Sequence, residues 1–292
     1  MIMMDKKNKT ILTKELKNKT ILITGGAGSI GSVLVKKILE FPVKTVRVLD
    51  IDEHALFKLN REVNDKRVRL LLGSVTDKER IEMAAYNVDI ILHLAAIKNI
   101  EISEFNPIET IDTNVQGMIN LLKISMINKP KKFLNISTDK AAEASTLYGT
   151  TKQICERLVS WAGVHMDSTK FASIRLGNVR ETRGNVFEIW NEENKNKKPL
   201  SITHLEMERY FIHVDEAVDN ILKCISMTNV GEIFVPKMKS YKIKDLASEI
   251  SKKHKIIGIR QGEKLEEILI TEQEKSNAQE KDDMWIIKQY LK

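Results

Sequence analysis

Short apolar, β-branched runs alternate with stretches of helical spacing along the first 176 residues of the chain. The runs predict strands, and the intervening stretches, with apolar residues three and four positions apart, predict amphipathic helices. Such alternation is typical of a parallel sheet with helices on both faces and right-handed crossovers. The predicted strands are Thr20–Thr24, Thr45–Leu49, Val68–Leu72, Val88–Leu94, Lys132–Ser137 and Phe171–Leu176, and the predicted helices include Ser32–Leu39, Thr113–Ile127 and Thr151–Ala162.

After Leu176 the pattern loosens, and the apolar runs become shorter and less regular. The polar stretch 191–198 predicts an exposed helix end followed by a loop. This part of the chain therefore predicts a smaller C-terminal lobe beside the main sheet. The elements predicted in it are the helices Asp215–Ser226, Ile243–Lys253 and Glu263–Ile270 and the strands Glu232–Val235 and Ile256–Ile259.

A glycine cluster follows the first predicted strand, in the sequence TILITGGAGSIG at 20–31. Gly26, Gly28 and Gly31 have the G-x-G-x-x-G spacing, and Gly25 extends the cluster. Between a strand and a helix, such glycines allow a tight turn, the close approach of a pyrophosphate, and helix–strand packing. Asp50, at the end of the second strand, has the position of an acid that binds the adenosine ribose. These features predict a dinucleotide site in a Rossmann-type, doubly wound α/β fold.

The acidic run after the second strand bears on the choice of cofactor. Asp50, Asp52 and Glu53 stand together without a neighbouring base. A carboxylate accepts a hydrogen bond from a ribose 2′-hydroxyl but repels a 2′-phosphate, which NADP sites usually meet with Arg or Lys. The sequence therefore favours NAD, with NADP as the alternative. The chain divides into a basic N-terminal extension (1–17), an NAD-binding Rossmann domain (18–176, with contributions from 208–235) and a substrate-binding lobe (177–207 and 236–292).

Two further segments carry candidate chemistry. Tyr148 and Lys152 form a Y-x-x-x-K pair, which places both side chains on one helix face. An ammonium group near a phenol lowers the pKa of the phenol, so this tyrosine is a candidate base. The segment 137–140, Ser-Thr-Asp-Lys, ends the fifth predicted strand, and ligands of doubly wound sheets lie beyond the carboxyl ends of the strands. Both segments are therefore expected in one active site.

Composition narrows the class of protein. The 292 residues are 42% hydrophobic and 30% charged, which indicates a globular chain. No apolar run approaches the roughly 18 residues of a membrane span, and the N-terminus lacks the apolar part of a signal peptide, so a cytoplasmic protein without membrane contact is expected. The two cysteines have no C-x-x-C spacing and predict no disulfide. The six histidines show no metal-ligand spacing, so no metal site is expected.

The net charge of +7 raises the question of nucleic-acid binding, but residues 1–20 alone carry +4 of it. A basic terminus is usually a solvated segment, with a polyanion-binding arm as the alternative. A nucleic-acid surface also needs stacking aromatics, which make up only 5% of the chain. No nucleic-acid partner is therefore expected.

The motifs together resemble an extended short-chain dehydrogenase/reductase that acts on sugar nucleotides. Within that group, the chain resembles the inverting UDP-N-acetylglucosamine 4,6-dehydratases of the pseudaminic acid route, in the polysaccharide biosynthesis protein family. The similarity runs from Lys17 to Ile287, and its seven segments stand in order. They are HLAAIKNIEISEFNP (93–107), STDKAA (137–142), LYGTTK (147–152), RLGNVRETRGNV (175–186), MERYFI (207–212), GEIFVPK (231–237) and IIGIRQGEKLEE (256–267).

This resemblance implies an internal redox cycle on a UDP-sugar. Tyr148, helped by Lys152, removes the O4 proton while C4 is oxidised, and Thr138 hydrogen-bonds O4. The C4 ketone acidifies the C5 hydrogen. Asp139 is then the acid that helps the C6 hydroxyl leave, and Lys140 is the base for C5, a role that requires a partly neutral Lys140. Hydride finally returns to C6, and C5 is reprotonated.

The same resemblance implies the binding residues. Asn178, Arg209, Arg260 and Glu263 match positions that hold the uridine diphosphate, and Lys98 and Glu101 lie over the active site as candidate substrate contacts. Two features depart from the usual family residues: the RETRG run that begins at Arg180, and Ser74. The residues expected to line the cofactor site are Gly25, Gly28, Ser29, Ile30, Gly31, Asp50, Asp52, Ser74, Val75, Leu94, Ala95, Ala96, Lys98, Asn114, Tyr148 and Lys152.

Two matters stay open at the level of sequence. An epimerase or oxidoreductase of the same fold, acting on a 4-keto or 5,6-unsaturated UDP-sugar, would use the same Tyr, Lys and nicotinamide. A regulator that only binds NAD is disfavoured by the complete set of candidate catalytic residues. The helices 113–127 and 148–162 carry more apolar residues than one sheet face needs, among them Ile154 and Trp161, so a homo-oligomer, at least a dimer, is expected.

Overall fold

The computed structural model describes residues 6–260, 262–281 and 283–289 of the chain. Its strands are β1 (Thr20–Thr24), β2 (Thr45–Asp50), β3 (Val68–Leu72), β4 (Ile90–His93), β5 (Lys132–Thr138), β6 (Lys170–Leu176), β7 (Asn178–Val179), β8 (Leu200–Ile202), β9 (Glu208–Ile212), β10 (Val230–Pro236), β11 (Lys239–Lys242), β12 (His254–Ile256), β13 (Ala278–Lys281) and β14 (Met284–Ile287). Its helices are α1 (Lys6–Leu16), α2 (Ser29–Leu39), α3 (Glu53–Val63), α4 (Lys78–Ala85), α5 (Ile100–Phe105), α6 (Pro107–Ile111), α7 (Gly117–Asn128), α8 (Leu147–His165), α9 (Val186–Lys195), α10 (Val214–Met227), α11 (Ile243–Ile250) and α12 (Glu272–Lys275).

A nine-stranded sheet forms the centre of the molecule, in the order β13-β14-β10-β6-β5-β4-β1-β2-β3. The seven strands from β10 to β3 are parallel, while β14 and β13 add to the edge in antiparallel orientation. β1 and β5 are buried along their whole length, as expected of strands covered by helices on both faces. The predicted Rossmann-type α/β fold is confirmed, and the order reverses next to β1, where such sheets bind ligands.

The smaller lobe has its own sheets and core. β7, β9 and β11 form one small sheet, and β8 pairs with β12 in another. Trp190 of α9 is fully buried in the lobe core, and its indole Nε1 donates to the carbonyl of Ser201 at 2.8 Å. The exposed helix end and loop predicted at 191–198 are confirmed: α9 ends at Lys195, and a turn follows it.

Three parts of the molecule differ from the predicted division. In the N-terminal extension, α1 is a helix whose Leu12 and Leu16 are fully buried in the main core; residues 1–5 lie outside the described residues. β9, assigned by sequence to the Rossmann part, belongs to a lobe sheet, because it pairs with β7 and β11. β13 and β14, assigned to the lobe, instead extend the main sheet through the pairing of β14 with β10.

The segment 263–270, predicted to be a helix, is not helical. Gly262 begins it with a φ of +75°, which favours glycine, and Arg209 holds its backbone carbonyls at Lys264 and Leu265. Carbonyls that bond an arginine point away from a helical ladder. The segment is irregular, and it brings Glu267 to within 3.9 Å of Lys140 at the end of the main sheet, where the candidate catalytic residues lie.

Candidate active site

The glycine loop between β1 and α2 leaves room for a ligand against bare backbone. Gly25 has a φ of +66°, and a Cβ there would lie 2.7 Å from the backbone nitrogen of Ala95. A Cβ at Gly31 would lie 2.5 Å from the carbonyl oxygen of Gly25. Gly28 caps α2 without any side-chain hydrogen bond, so the first N–H groups of that helix stay available. This cradle fits a pyrophosphate at a helix N-terminus.

Two acids shape the end of β2. The Asp50 carboxylate accepts hydrogen bonds from the backbone of Ala27 at 2.9 Å and of Asp52 at 3.1 Å, so it also supports the glycine turn. Asp52 caps α3 by accepting from the backbone of Ala55 at 2.9 Å. That hydrogen bond is the main reason why the pKa of Asp52 lies below its usual value, with Arg183 as a further cause. Both predicted acids thus stand beside the cradle.

Arg183, which the sequence analysis did not single out as a site residue, lies across the mouth of the cradle. Its backbone N–H donates to Ser29 Oγ at 3.0 Å, and its guanidinium lies 3.4 Å from Asp52. Lys98 Nζ donates to the Arg183 carbonyl at 3.0 Å. The one sequence signal for Arg183 was its position in the unusual RETRG segment. Its contact with Asp52 could not be predicted from sequence, because 131 residues separate the two.

The remaining predicted cofactor residues surround the loop. Leu94, Ala95 and Ala96 follow β4 and are half-buried, and Ile30 packs against the main core. Ser74 and Val75 follow β3: the Ser74 hydroxyl lies 2.8 Å from that of Thr76, and Val75 is buried.

Asn114 is buried in a π-helical turn (Asp112–Gln116) and holds two site elements together. Its side chain exchanges hydrogen bonds with the backbone of Ile97 at 2.8 and 3.0 Å and donates to Thr151 of α8 at 3.0 Å. In this structure it therefore fixes the loop after β4 against the helix that carries Tyr148.

The end of β5 carries a buried acid–base pair. Asp139 is 1% exposed, and its Oδ1 accepts from Thr138 Oγ1 at 2.9 Å and from Lys140 Nζ at 3.0 Å. Its Oδ2 is buried and has no hydrogen-bond partner among the described residues. A buried carboxylate oxygen without a partner is costly, and a ligand group that donated a hydrogen bond to it would remove that cost.

Tyr148 and Lys152 lie on α8, directly beside this pair. The hydroxyl of Thr146 caps the helix by accepting from the backbone of Gly149 at 3.1 Å. A Cβ at Gly149 would lie 2.5 Å from the carbonyl oxygen of Lys140, so only glycine lets α8 approach the turn this closely. The structure therefore brings all five predicted catalytic residues, Thr138, Asp139, Lys140, Tyr148 and Lys152, into one cluster.

The protonation of the tyrosine differs from the expectation. Burial raises the pKa of Tyr148 above its usual value, the charge of Asp139 raises it further, and a hydrogen bond with Thr138 opposes the rise. Burial also lowers the pKa of Lys152, which weakens that residue as a source of positive charge. The phenol therefore needs additional positive charge, such as that of an oxidised nicotinamide, before it acts as a base at neutral pH.

His93, at the end of β4, is a packing residue. It is 1% exposed, and its Nδ1 lies 2.7 Å from the hydroxyl of Thr24. Burial lowers the pKa of His93 to about 3, so the imidazole is neutral. No cluster of three or more metal-ligating residues exists among the described residues.

The predicted substrate residues fall into two groups. Arg209 and Glu263 are close to each other, with 3.5 Å between guanidinium and carboxylate, and Arg209 also donates to the carbonyls of Lys264 and Leu265. Arg260 is exposed, and its backbone N–H donates to Glu263 at 3.2 Å. These three residues lie together, but the Arg209 side chain also holds the segment 263–270 in place.

The other three predicted substrate residues are placed separately, with Lys98 at the mouth of the cradle beside Arg183. Asn178 in β7 donates to the carbonyl of Tyr210 at 3.1 Å and is half-buried. Glu101 lies on the exposed side of α5, and the described residues show no hydrogen bond or ion pair of its side chain. Glu267, which the sequence analysis did not assign, is 8% exposed and lies 3.9 Å from Lys140.

Comparison with known proteins gives a consistent result. The family model described as polysaccharide biosynthesis protein matches residues 21–289. The chain is 42% identical to an uncharacterized membrane protein of Methanocaldococcus jannaschii, with 94% of this chain and 87% of that protein covered. It is 37% identical to UDP-N-acetylglucosamine 4,6-dehydratase (inverting) of Campylobacter jejuni, with 94% and 84% covered.

Two further matches complete this comparison. UDP-glucose 4-epimerase of Rickettsia bellii is 33% identical, with 90% of this chain and 81% of that protein covered. The X-ray structure of Pen from Bacillus thuringiensis superposes with a TM-score of 0.90 at 32% identity, covering 93% of this chain and 88% of that one. In the part of this chain that the structure describes, no helix is both long and apolar enough to cross a membrane.

Proposed function

Because the chain belongs to the polysaccharide biosynthesis protein family, whose relatives include nucleotide-sugar dehydratases and epimerases, we propose that it is a UDP-N-acetylglucosamine 4,6-dehydratase. Such an enzyme oxidises C4 transiently, eliminates water across C5–C6 and returns the hydride to C6. The proposal rests on the buried Asp139–Lys140 pair beside Tyr148 and Lys152.

NAD is the cofactor that the residues of the cradle fit. The open N-terminus of α2 and the bare glycines would hold the pyrophosphate, and Asp50 would bind the adenosine ribose. The nicotinamide, when bound, supplies the hydride acceptor and donor for the redox steps. Asn114 contributes by fixing the loop after β4 against α8, which sets the wall between cradle and catalytic cluster.

The acid–base pair is the observation that favours dehydration. Oxidation at C4 needs one group that takes the O4 proton, and Tyr148 would take it with the help of Lys152 and of the positive charge of an oxidised nicotinamide. Elimination across C5–C6 needs two more groups, a base for the C5 proton and an acid for the departing hydroxyl. Lys140 and Asp139 supply both functions within 3.0 Å of each other. The buried, unpartnered Oδ2 of Asp139 is suited to deliver a proton to the leaving oxygen.

The lobe supplies the binding site for the UDP part of the substrate. Arg209, Arg260 and Glu263 lie together, Asn178 lies apart from them in β7, and arginine suits bidentate contact with phosphate. Among the described residues the exposed Arg260 guanidinium shows no hydrogen bond or ion pair, so it is the cation of this group for the diphosphate, whereas Arg209 already donates to backbone carbonyls. Lys98, at the mouth of the cradle, is a further candidate contact for the substrate.

The mass of the product tests the proposal. Purified protein is incubated with UDP-N-acetylglucosamine without added cofactor and then with added NAD, and the nucleotide sugar is analysed by mass spectrometry. Loss of one water from the sugar is the expected result. An unchanged mass together with a new C4 epimer would instead support the epimerase activity that the relative from Rickettsia bellii carries by name.

A further inference from the structure

One buried carboxylate beside the catalytic cluster has no role in the steps above. Glu267 is 8% exposed, and its Oε1 lies 3.9 Å from Lys140 Nζ. Lys140 is the one cation within ion-pair distance of this carboxylate among the described residues. The ammonium of Lys140 therefore lies between two acids, with Asp139 at 3.0 Å on the other side.

Several contacts fix the segment that carries Glu267. Ser145 Oγ donates to the carbonyl of Gly262 at 2.6 Å, and Lys264 forms an ion pair with Glu143 at 3.6 Å. Arg209 donates to the carbonyls of Lys264 and Leu265 at 2.8 and 3.0 Å. The lobe and the loop before α8 thus both hold the segment, and the carboxylate of Glu267 is set in place rather than free to move.

The charges around Glu267 oppose one another. Burial raises its pKa above the usual value, and the charge of Asp139 acts in the same direction. Lys140, Arg209 and Lys264 lower it. Two acids and one ammonium in a buried cluster stabilise the ammonium form of the lysine, because each opposite charge within about 4–6 Å favours the charged state.

We propose that Glu267 is a positioning residue for Lys140: it holds the amino group from the lobe side and stabilises the charge that Lys140 gains when it accepts the C5 proton. This inference rests on the proposed dehydratase function. In the step concerned, the C5–H bond breaks, its electron pair enters the C4–C5 enolate, and a new N–H bond forms on the neutral amine of Lys140. Glu267 stays ionised and stabilises the ammonium ion formed.

A consequence is that the placement of Lys140, the proposed C5 base, depends on a residue of the lobe. Asp139 and Lys140 are adjacent in sequence and belong to the end of the main sheet, whereas Glu267 is brought to them by a segment that also carries Glu263. The segment would therefore serve the UDP part of the substrate through Glu263 and the proposed base through Glu267.

The test is the pH dependence of deuterium incorporation at C5 and of turnover, for wild type and Glu267→Gln. With one carboxylate removed, Lys140 gives up its proton at lower pH, so the rising limb of both profiles should move down by about 1–3 pH units. The maximal rate should fall because the amine is a weaker base. Glu266→Gln, an exposed neighbour, serves as the matched control and should leave the profile unchanged.

The outcomes separate the two proposals. Suppose that the wild type removes water, and that the rising limb of the pH profile of Glu267→Gln lies where the wild-type limb lies, with or without a loss of rate. The inference about Glu267 is then wrong, and the dehydratase function stands. If the wild type itself neither removes water nor exchanges C5, the proposed function has failed. Glu267→Asp draws the carboxylate away from Lys140, so its rising limb should move in the same direction by less. If Glu267→Gln does not fold, an unshifted limb in Glu267→Asp would contradict the inference.

Discussion

A buried ion network joins the C-terminal segment to the catalytic part of the main sheet. Arg175 of β6 is 1% exposed and donates to the fully buried Glu156 of α8 at 2.7 and 3.1 Å. It also donates to Glu274 at 2.8 and 3.0 Å and to the carbonyl of Leu269 at 2.7 Å. Arg175→Met removes the cation and leaves the Glu156 carboxylate buried without its counter-charge.

The size of the effect follows from this geometry. Breaking a buried pair by removing one partner costs about 3–5 kcal/mol, whereas replacing both charges is often close to neutral. We therefore expect Arg175→Met to lower the free energy of unfolding by about 3–5 kcal/mol, and Arg175→Met/Glu156→Gln to recover a large part of it. Whole domains are stable by only about 5–15 kcal/mol, so the folded state of Arg175→Met should be only marginally stable.

Denaturant unfolding at several pH values measures the free energy of unfolding of these variants. Burial disfavours ionisation of Glu274, but the hydrogen bonds from Arg175 outweigh it and hold the pKa of Glu274 below its usual value. A lowered folded-state pKa gives stability that is present above the unfolded pKa and is lost as the pH falls through the folded value. Glu274→Gln should therefore flatten the acid side of the stability profile. A loss under about 1 kcal/mol for Arg175→Met would refute the reasoning.

Three further predictions concern chemistry, cofactor and assembly. Lys140→Ala should slow turnover by at least about 10²–10⁴-fold and build up the near-ultraviolet absorbance of reduced nicotinamide. Tyr148→Phe should slow turnover as much, but without that absorbance. A Lys140→Ala enzyme at near wild-type rate would contradict the assignment of Lys140 as the C5 base. Calorimetry should show tighter binding of NAD than NADP, and Arg183→Ala should widen the difference by removing the cation beside Asp52; tighter NADP binding by the wild type would overturn this. Sedimentation should show at least a dimer of the 33.4 kDa chain at micromolar concentration, and Trp161→Glu, at a residue 39% exposed, should shift it towards monomer.

The main sheet could be predicted because its signals are local. The strands from Thr20 to Leu176 are apolar runs between helices, and their observed bounds differ from the predicted ones by one or two residues. The glycines of the cradle and the Tyr148–Lys152 pair are also local, since each depends on spacing within one strand, turn or helix. Residues of these kinds are found by sequence because secondary structure alone brings them together.

What the sequence missed depends on contacts between distant segments. The segment at 263–270 has helical spacing, but Arg209, more than fifty residues away, binds the carbonyls of Lys264 and Leu265, and the segment is irregular instead of helical. Arg183 and Glu267 reach Asp52 and Lys140 only through the packing of the lobe on the sheet. The pKa of Tyr148 follows burial rather than the nearby lysine, because burial is a property of the folded chain and not of the motif.

The measurement that tests the central claim most directly is the reaction of UDP-N-acetylglucosamine in deuterated water, followed by mass spectrometry and proton NMR of the sugar. Removal of the C5 proton by Lys140 and its replacement from solvent require that the product lack one water and carry one deuterium at C5. A product that has lost water without deuterium at C5 would contradict exchange through Lys140. A product of unchanged mass would contradict dehydration itself.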